Sequence, residues 1–430
     1  MGDGIEADVV TLADLFRCQD EVGLTRALMA RFPADERVPA MVRFALSDGR
    51  EAGGITARNP LEAAFLARIG ATDGGQWYAG QVVPELFDAL ADDHGTPGWG
   101  VAQWLNFLRL RQIAPSNRAA VVATMRDEAL GLVEWVAHYR MLGIERLFVY
   151  TNDNSDGTDA LLECLGWHGL VCPIRNEVGR APSPQRKAYA HALHFLPALR
   201  ESEWVFFIDA DEFFIPAAGT TLDAWLGAVD RRAEMKRPSA ILFDWQWHVS
   251  GGRYDYAPDL VLRRFPHIRP HGGFKSLVRL ADVVSMQPIH FPHVIPGGTI
   301  VDSDLRDVPL DGVWQMPAAS GAGGWINHYW TKSFEEFAIK AARGEDRAEW
   351  ARDLGLFFRW NGPETAATLA PPPAALVALV AAEHARIMAL PGIARHVVAA
   401  RVAMGAKLAR FDGAGGLRAI HDKLNVAGAA

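Results

Sequence analysis

Short unbroken apolar runs alternate with helix-period stretches between residues 119 and 216, a pattern that predicts strands alternating with helices. Residues 119–125 read as a strand, with Arg126, Asp127 and Glu128 at its carboxyl end. Leu132, Val136, Tyr139 and Leu142 then recur at helical spacing, and Gly143 suits the position just past a helix. Residues 146–150 form the next strand, and the turn formers from Asn152 to Gly157 can cap a helix over 158–165. Residues 170–174 make a third strand. Ser183 and Pro184 stand in the favoured order for a helix start, and this helix is expected to reach residue 200. The apolar run within residues 204–216 reads as a fourth strand, buried on both faces, that ends abruptly in Asp209, Asp211 and Glu212. Strands and helices in this alternation predict an α/β fold with a mostly parallel, right-handed crossover sheet.

The flanks carry different signals. Residues 1–117 mix short helical patterns with turn punctuation at 53–54 and 74–75 and hold no chemical constellation, so they are expected to form an accessory region. After residue 216, Thr220 or Thr221 caps a helix to about 231. Strands are expected over 239–247, 256–266 and 274–280, and a mobile loop over 296–324. Ser333 and Glu336 form a capping box at the head of a helix ending near Arg343. From Pro371 the chain is Ala-rich, with helices expected at 374–390, 392–410 and 415–424. Three regions result: 1–117 accessory, 118–345 α/β, and 346–430 helical.

Composition narrows the classes. Lys and Arg number 43 against 51 Asp and Glu, a net charge of -8 without a basic block, which argues against nucleic acid as a partner. The three cysteines have neither metal-ligand nor disulfide-framework spacing and favour a reducing compartment. The acidic start lacks an apolar signal core, and no window supplies the roughly 18 apolar residues of a spanning helix. A cytoplasmic location follows as the expectation, with peripheral contact at the inner face of a membrane compatible with it.

The chemistry concentrates at strand ends. Carboxylates in an apolar setting are costly unless paired or bound to metal, and ligands of open α/β sheets sit at the carboxyl ends of the strands. Asp209 and Asp211, two apart on an extended chain, can reach one site, and oxygen ligands of this kind suit Mg²⁺ or Mn²⁺ with substrate phosphates completing the shell. Acids that merely cap a turn are the bland alternative. Asp156 and the Arg126–Glu128 corner are expected on the same edge. Gln185, Arg186 and Lys187 crowd a helix N-terminus where cations oppose the macrodipole, which suggests a nearby anion or simply a solvated face. Among His248, His267, His271, His290, His293 and His328, the last is the best candidate for a metal imidazole because it precedes a helix together with Lys332, and His293 follows. Trp245, Trp247 and Trp330 can stack on a sugar or base, although packing explains any single Trp equally well.

Taken in order, these segments resemble the GT-A glycosyltransferases, in the group around glycosyltransferase families 2 and 92. The resemblance rests on Met125-Arg-Asp-Glu128 with the Glu134-Trp135 helix, on the turn from Tyr150 to Thr158, and on the stretch from Gln185 to His191. It continues through Phe207-Ile-Asp-Ala-Asp-Glu-Phe213, Trp247 to Gly252, and the His328-to-Phe337 run with Lys340, Arg343 and Gly344. It covers residues 118–345, and Arg126-Asp127 departs from the family's Lys-Asn. The resemblance implies a GT-A fold and a UDP- or GDP-sugar donor whose diphosphate is held through a divalent metal, Mn²⁺ or Mg²⁺, on Asp209 and Asp211, with His328 as a further ligand. It also implies donor contacts from Arg126, Glu128, Asp156, Gln185, Lys187 and Lys332, inversion at the anomeric carbon, and a glycan or lipid-linked glycan acceptor. A carboxylate base is required, for which Asp244 and Asp255, with Asp259, are the candidates.

Three other readings compete. A haloacid-dehalogenase-type phosphatase would use Asp209 as nucleophile, but that motif belongs on a first strand. A nucleotidyltransferase would need a glycine-rich phosphate loop where Arg126-Asp127-Glu128 stands. A non-catalytic nucleotide- or sugar-binding module would be favoured by Asp209 and Asp211 being locked in salt bridges to Arg.

Overall fold

The computed structural model describes residues 11–51, 55–70, 82–83, 99–177, 183–217, 221–232, 237–269, 272–286, 288–295, 297–308, 323–343, 353–361, 367–414 and 416–428. Thr220, the glycine pairs at 53–54 and 74–75, and most of the expected loop at 296–324 lie outside them. Strands β1 (Val82–Val83), β2 (Asn117–Met125), β3 (Arg146–Thr151), β4 (Cys172–Asn176) and β5 (Ser202–Asp209) run parallel in the spatial order β1-β4-β3-β2-β5. Helices Ala129–Met141, Thr158–Trp167 and Pro184–Phe195 make the crossovers between β2 and β5. The chain builds outward from β2 through β3 to β4 and then returns to place β5 on the other side of β2. The crevice at the carboxyl ends of β2 and β5 is therefore a topological switch point, where open sheets of this kind bind ligands.

The fourth strand ends at the acids as the sequence indicates: β5 ends at Asp209, and the apolar residues beyond the turn form a separate strand, β6 (Glu212–Pro216), at the far end of the sheet. The remaining strands are β7 (Ala240–Val249), β8 (His267–Arg269), β9 (Phe274–Arg279), β10 (Val283–Ser285), β11 (His293–Val294), β12 (Ile300–Asp302), β13 (Gly324–His328) and β14 (Thr368–Leu369). β9 is antiparallel to both β5 and β7, while β13 lies parallel to β7 and antiparallel to β6. β10 and β11 form a separate two-stranded sheet.

Two expected elements change. The segment expected as a strand over 256–266 contains instead the short helix Val261–Arg264, held by Glu134, whose carboxylate accepts the backbone N–H of Val261 at 2.7 Å and of Leu262 at 3.1 Å. The helix beginning at Pro184 stops at Phe195, because Pro197 supplies no N–H to continue it and starts a separate turn, Pro197–Arg200. Thr221 does cap its helix, accepting the Ala224 N–H at 3.2 Å.

Both sheet faces are covered. On one, Trp135, Val136, Leu161 and Trp225 pack with Leu376, Val380 and Val397 from the C-terminal helices Ala374–Met388 and Ile393–Leu408. On the other, Ala188, Ala192 and Leu193 of the helix Pro184–Phe195 pack with Phe65 and Ala102 from the N-terminal helices. Those N-terminal helices build a core of their own around Leu24, Leu28, Trp104 and Phe107, and Asn106 ties them to the helix Pro184–Phe195 by donating to the His194 carbonyl at 2.8 Å. Among the described residues no single helix is long and apolar enough to cross a membrane.

Burial lowers the pKa values of five histidines in this core: His138 and His248 to about 4, and His191, His194 and His290 to about 3. An unfolded chain takes up protons on these imidazoles near pH 6.5, whereas the folded chain refuses them until pH 4 or below. Their depressed values therefore withdraw stability as pH falls through that window. Denaturant unfolding at a series of pH values should show stability dropping by at least about 2 kcal/mol between pH 7 and pH 5, the share of a single such group. A flat profile over that window would contradict the assignment.

Candidate active site

The site begins where β5 runs out. Asp209 Oδ2 lies 2.8 Å from the Lys275 ammonium, and Oδ1 accepts from Gln185 Nε2 at 2.5 Å. Its backbone N–H donates to Glu212 Oε2 at 2.9 Å. Lys275 belongs to β9, the antiparallel neighbour of β5, and is fully buried. Glu212 Oε2 lies 3.4 Å from the same ammonium. Burial would raise the Asp209 carboxyl, but Lys275 outweighs it and holds the group below the usual range. Burial wins at Glu212, whose carboxyl is pushed well above the usual range and so stays protonated.

Asp211, in the turn between the two strands, faces two other elements. Its Oδ1 is 3.4 Å from His328 Nε2, and its Oδ2 accepts from Lys340 Nζ. His328 is the last residue of β13 and pairs in register with Glu212, which carries its ring to Asp211. Trp245 and Trp247 of β7 flank that ring at 4.5 and 4.8 Å. Burial lowers the His328 pKa and keeps the imidazole neutral. Burial opposes ionisation of Asp211, yet Lys340 and His328 hold its carboxyl well below the usual range. Lys340 stands on the helix Phe334–Ala342, whose expected capping box is present: Ser333 Oγ accepts the Glu336 N–H at 3.4 Å and Glu336 Oε2 accepts the Ser333 N–H at 3.2 Å.

The β2 corner closes the site. Glu128 Oε1 is 2.8 Å from Arg343 Nη2, and its Oε2 is 3.6 Å from Lys332 Nζ. Arg343 also donates to the carbonyls of Arg126 and Asp127. Glu128, Lys332, Lys340, Arg343 and the Trp330 ring line a cavity of about 40 Å³. The turn after β3 is stitched to the same corner, since Asn154 accepts the Asp127 N–H at 2.7 Å and Thr158 Oγ1 accepts the Glu128 N–H at 2.9 Å. Asp127 in turn meets Lys407 of the C-terminal helix at 2.9 Å.

The residues expected at the site divide sharply. Asp209, Asp211, Gln185, Glu128, His328 and Lys332 converge there. Arg126 contributes its carbonyl to Arg343. Asp156 is used by the backbone: its carboxylate accepts from Thr158 N at 2.9 Å, Thr158 Oγ1 at 2.6 Å and Ala129 N at 3.0 Å, so it clamps two helix starts together. Lys187 points inward from its helix, is fully buried, and donates to the Glu177 carbonyl. Asp255 is 74% exposed and pairs with Arg418 at 3.2 Å, and Asp259 is likewise on the surface with Arg263. Asp244 lies on β7, paired with Phe274 across the β7–β9 ladder, and β9 separates β7 from β5. Asp244 thus stands two strands from Asp209, about 10 Å away at the usual strand spacing. His293 is exposed on β11, and His271 lies outside the described residues.

Lys275 is the participant that sequence reasoning missed. The strand Phe274–Arg279 also carries Ser276 and Arg279, so nothing local marks Lys275 as buried against an acid.

The donor set has a definite character. A neutral imidazole and an ionised carboxylate 3.4 Å apart can be neighbouring ligands of one divalent ion, which at bond lengths near 2.1 Å sets adjacent ligands about 3 Å apart. Among the described residues no group of three or more His, Cys, Asp or Glu side chains forms a cage, and Asp209 is taken up by Lys275 and Gln185. Asp211 and His328 are the described side chains that could hold a Mn²⁺ or Mg²⁺ ion.

Removing Lys275 leaves Asp209 as an uncompensated buried charge, so Lys275→Ala should lower stability by about 3–5 kcal/mol in denaturant titrations. Glu212→Gln keeps the carbonyl that accepts the Asp209 N–H and replaces a carboxyl that is already neutral. It should cost less than about 1.5 kcal/mol, and equal losses in the two variants would refute this charge assignment.

With this geometry established, the chain was compared with known proteins. Residues 121–337 match the model of glycosyltransferase family 92. A family 92 protein of Ricinus communis is 33% identical over 106 residues, 25% of this chain and 18% of that protein. One of Oryza sativa subsp. japonica is 33% identical over 102 residues, 23% of this chain and 16% of that protein. The aligned part thus spans less than a fifth of these relatives' length. Among solved structures, S. aureus TarS is similar at 13% identity and a TM-score of 0.29, covering 53% of this chain and 39% of that one. TarS residues 1–349 in complex with UDP gives 13% identity and a TM-score of 0.28, covering 64% and 72%. The family model takes in half of the 430 residues and every strand end that builds the site, and the chain belongs to glycosyltransferase family 92.

Proposed function

We propose that the protein transfers a sugar from a nucleoside-diphosphate sugar, with UDP or GDP as the nucleotide, to a hydroxyl of a glycan or lipid-linked glycan. One observation carries the reading: at the sheet's switch point Lys332, Lys340 and Arg343 line one cavity directly beside Asp211 and His328. The three cations share this lining with Asp127, Glu128 and Glu336, so a diphosphate would take them over from resident acids, and the adjoining carboxylate–imidazole pair suits the divalent ion that accompanies it.

The chemistry is a single displacement with inversion. The acceptor oxygen forms a bond to the anomeric carbon while the bond from that carbon to the diphosphate oxygen breaks, and the acceptor proton passes to a carboxylate base. The electron pair of the broken bond stays on the diphosphate, so negative charge grows where the ammonium and guanidinium groups already stand. A divalent ion bound at Asp211 and His328 would add Lewis-acid stabilisation of that leaving group. Asp244 is the better placed base, since it pairs with Phe274, the neighbour of the Lys275 that meets Asp209, whereas Asp255 is turned to solvent beside Arg418. Trp245 and Trp247 offer apolar faces to a sugar ring.

A phosphatase reading through Asp209 is disfavoured because both of that residue's oxygens are engaged, by Lys275 and by Gln185. The binding-module reading expected arginine partners for both acids, and the partners are lysines, with Asp209 still 29% exposed to the crevice. The cysteines are all free, in keeping with a reducing, cytoplasmic setting. Peripheral membrane contact is supported by the exposed Leu379, Val398 and Val402 on the C-terminal helices.

Calorimetric titration of UDP- and GDP-sugars with and without Mn²⁺ tests the proposal. Binding should require the metal and weaken at least tenfold in Asp211→Ala, with circular dichroism unchanged; metal-independent binding unaffected by that substitution would sink it. Asp244→Asn should lower kcat about 10²–10⁴-fold while leaving donor affinity intact.

A further inference from the structure

The two oxygens of Asp211 have different partners. Oδ1 faces His328 Nε2 at 3.4 Å, and Oδ2 holds the Lys340 ammonium. That ammonium also donates to the Trp330 carbonyl at 3.1 Å and lies 5.8 Å from the centre of the Trp330 ring. The resting site therefore already holds a monovalent cation on the carboxylate where a divalent one fits. We propose that Lys340 is a place-holder: it neutralises Asp211 while the site is empty, yields that carboxylate to a divalent metal, and turns into the adjoining cavity to meet the diphosphate that arrives with the metal. This rests on the donor reading given above.

The charges support an exchange rather than simple addition. Each carboxylate at the site already has a cationic partner: Asp209 has Lys275, Asp211 has Lys340, and Glu128 has Lys332 and Arg343. A dication entering alone must compete with an ammonium in direct contact with its carboxylate. A dication entering with a diphosphate brings its own counter-charge and gives Lys340 a new anionic partner.

Lys340 is also the cation placed to move. Arg343 is fixed by Glu128 and by the carbonyls of Arg126 and Asp127, and Lys275 is fully buried between Asp209 and Glu212. Lys340 extends a flexible four-carbon stem from the last turn of its helix and lines the cavity it would enter. The place-holder makes metal and nucleotide bind cooperatively, because each improves the site for the other by the same factor.

The test follows Mn²⁺ binding by electron paramagnetic resonance of the free ion, with and without UDP, so that turnover is not the readout. In the unaltered protein, UDP should tighten Mn²⁺ at least tenfold. In Lys340→Met, Mn²⁺ alone should bind at least tenfold tighter than in the unaltered protein, while UDP tightens it less than threefold. Lys340→Arg, which keeps the charge, should behave as the unaltered protein. Should Lys340→Met fail to fold, Lys340→Gln, which retains a donor for the Trp330 carbonyl, takes its place with the same expectation. Unchanged or weaker Mn²⁺ binding in a folded, charge-removed variant overturns the proposal, as does Mn²⁺ binding in the unaltered protein that is indifferent to UDP. If UDP and UDP- and GDP-sugars fail to bind the unaltered protein even with metal, the donor reading itself has failed; intact nucleotide binding with no effect of Lys340→Met on metal alone rejects only the place-holder.

Discussion

Three acidic side chains within four residues are drawn into a site from which water is largely excluded, and the arrangement around them follows from the need to compensate their charge. A desolvated carboxylate without a partner costs several kcal/mol. Asp209 meets Lys275, Asp211 meets Lys340, and Glu212, wedged beneath both, meets the demand by remaining protonated. Each solution recruits a different part of the chain. β9 must lie beside β5 to present Lys275, and the helix Phe334–Ala342 must end over the crevice to present Lys340. The second half of the sheet is in this sense the counter-charge of the first.

The same logic explains why the parallel half alone would make an incomplete site. β2 to β5 supply the switch point and its acids, and this half resembles many nucleotide-binding sheets in outline. His328 arrives only because β13 inserts between β7 and β6, with His328 paired to Glu212. The remaining cations, Lys332 and Arg343, flank that helix and grip Glu128 at the end of β2. The far C-terminal region reaches the same corner, where Lys407 neutralises Asp127. A small set of ion pairs thus joins segments separated by more than two hundred residues, and the rigidity of the crevice depends on all of them.

Chemistry and architecture are connected by electrostatic preorganisation. In the proposed reaction a leaving diphosphate would gain negative charge as its bond to the sugar breaks, and the Arg343 guanidinium, already held by Glu128, would stabilise that charge without having to reorganise. Holding cations ready in an empty site requires resident anions, and Glu128 and Asp211 serve as such. The tryptophans around His328 exclude water on the other side and raise the strength of each of these interactions.

What the sequence determined by itself was whatever local periodicity and local chemistry encode. The alternation of strands and helices from β2 to β5, the Ser183-Pro184 helix start, the capping box at Ser333 and Glu336, and the concentration of acid at Asp209 and Asp211 were all legible, because each is written in residues a few positions apart. That residues 212–216 form a second strand at the far end of the sheet was not legible, because it depends on pairing with β13, more than a hundred residues away. Asp156 and Lys187 looked available for a donor, yet one is occupied by the backbone of Ala129 and Thr158 and the other by the Glu177 carbonyl. Asp255 looked equal to Asp244 as a base, and only the fold separates a residue on β7 from one facing solvent. Tertiary structure alone decided which cation faces which acid, since ion pairing in a dry site depends on the meeting of elements that carry no trace of one another in the sequence.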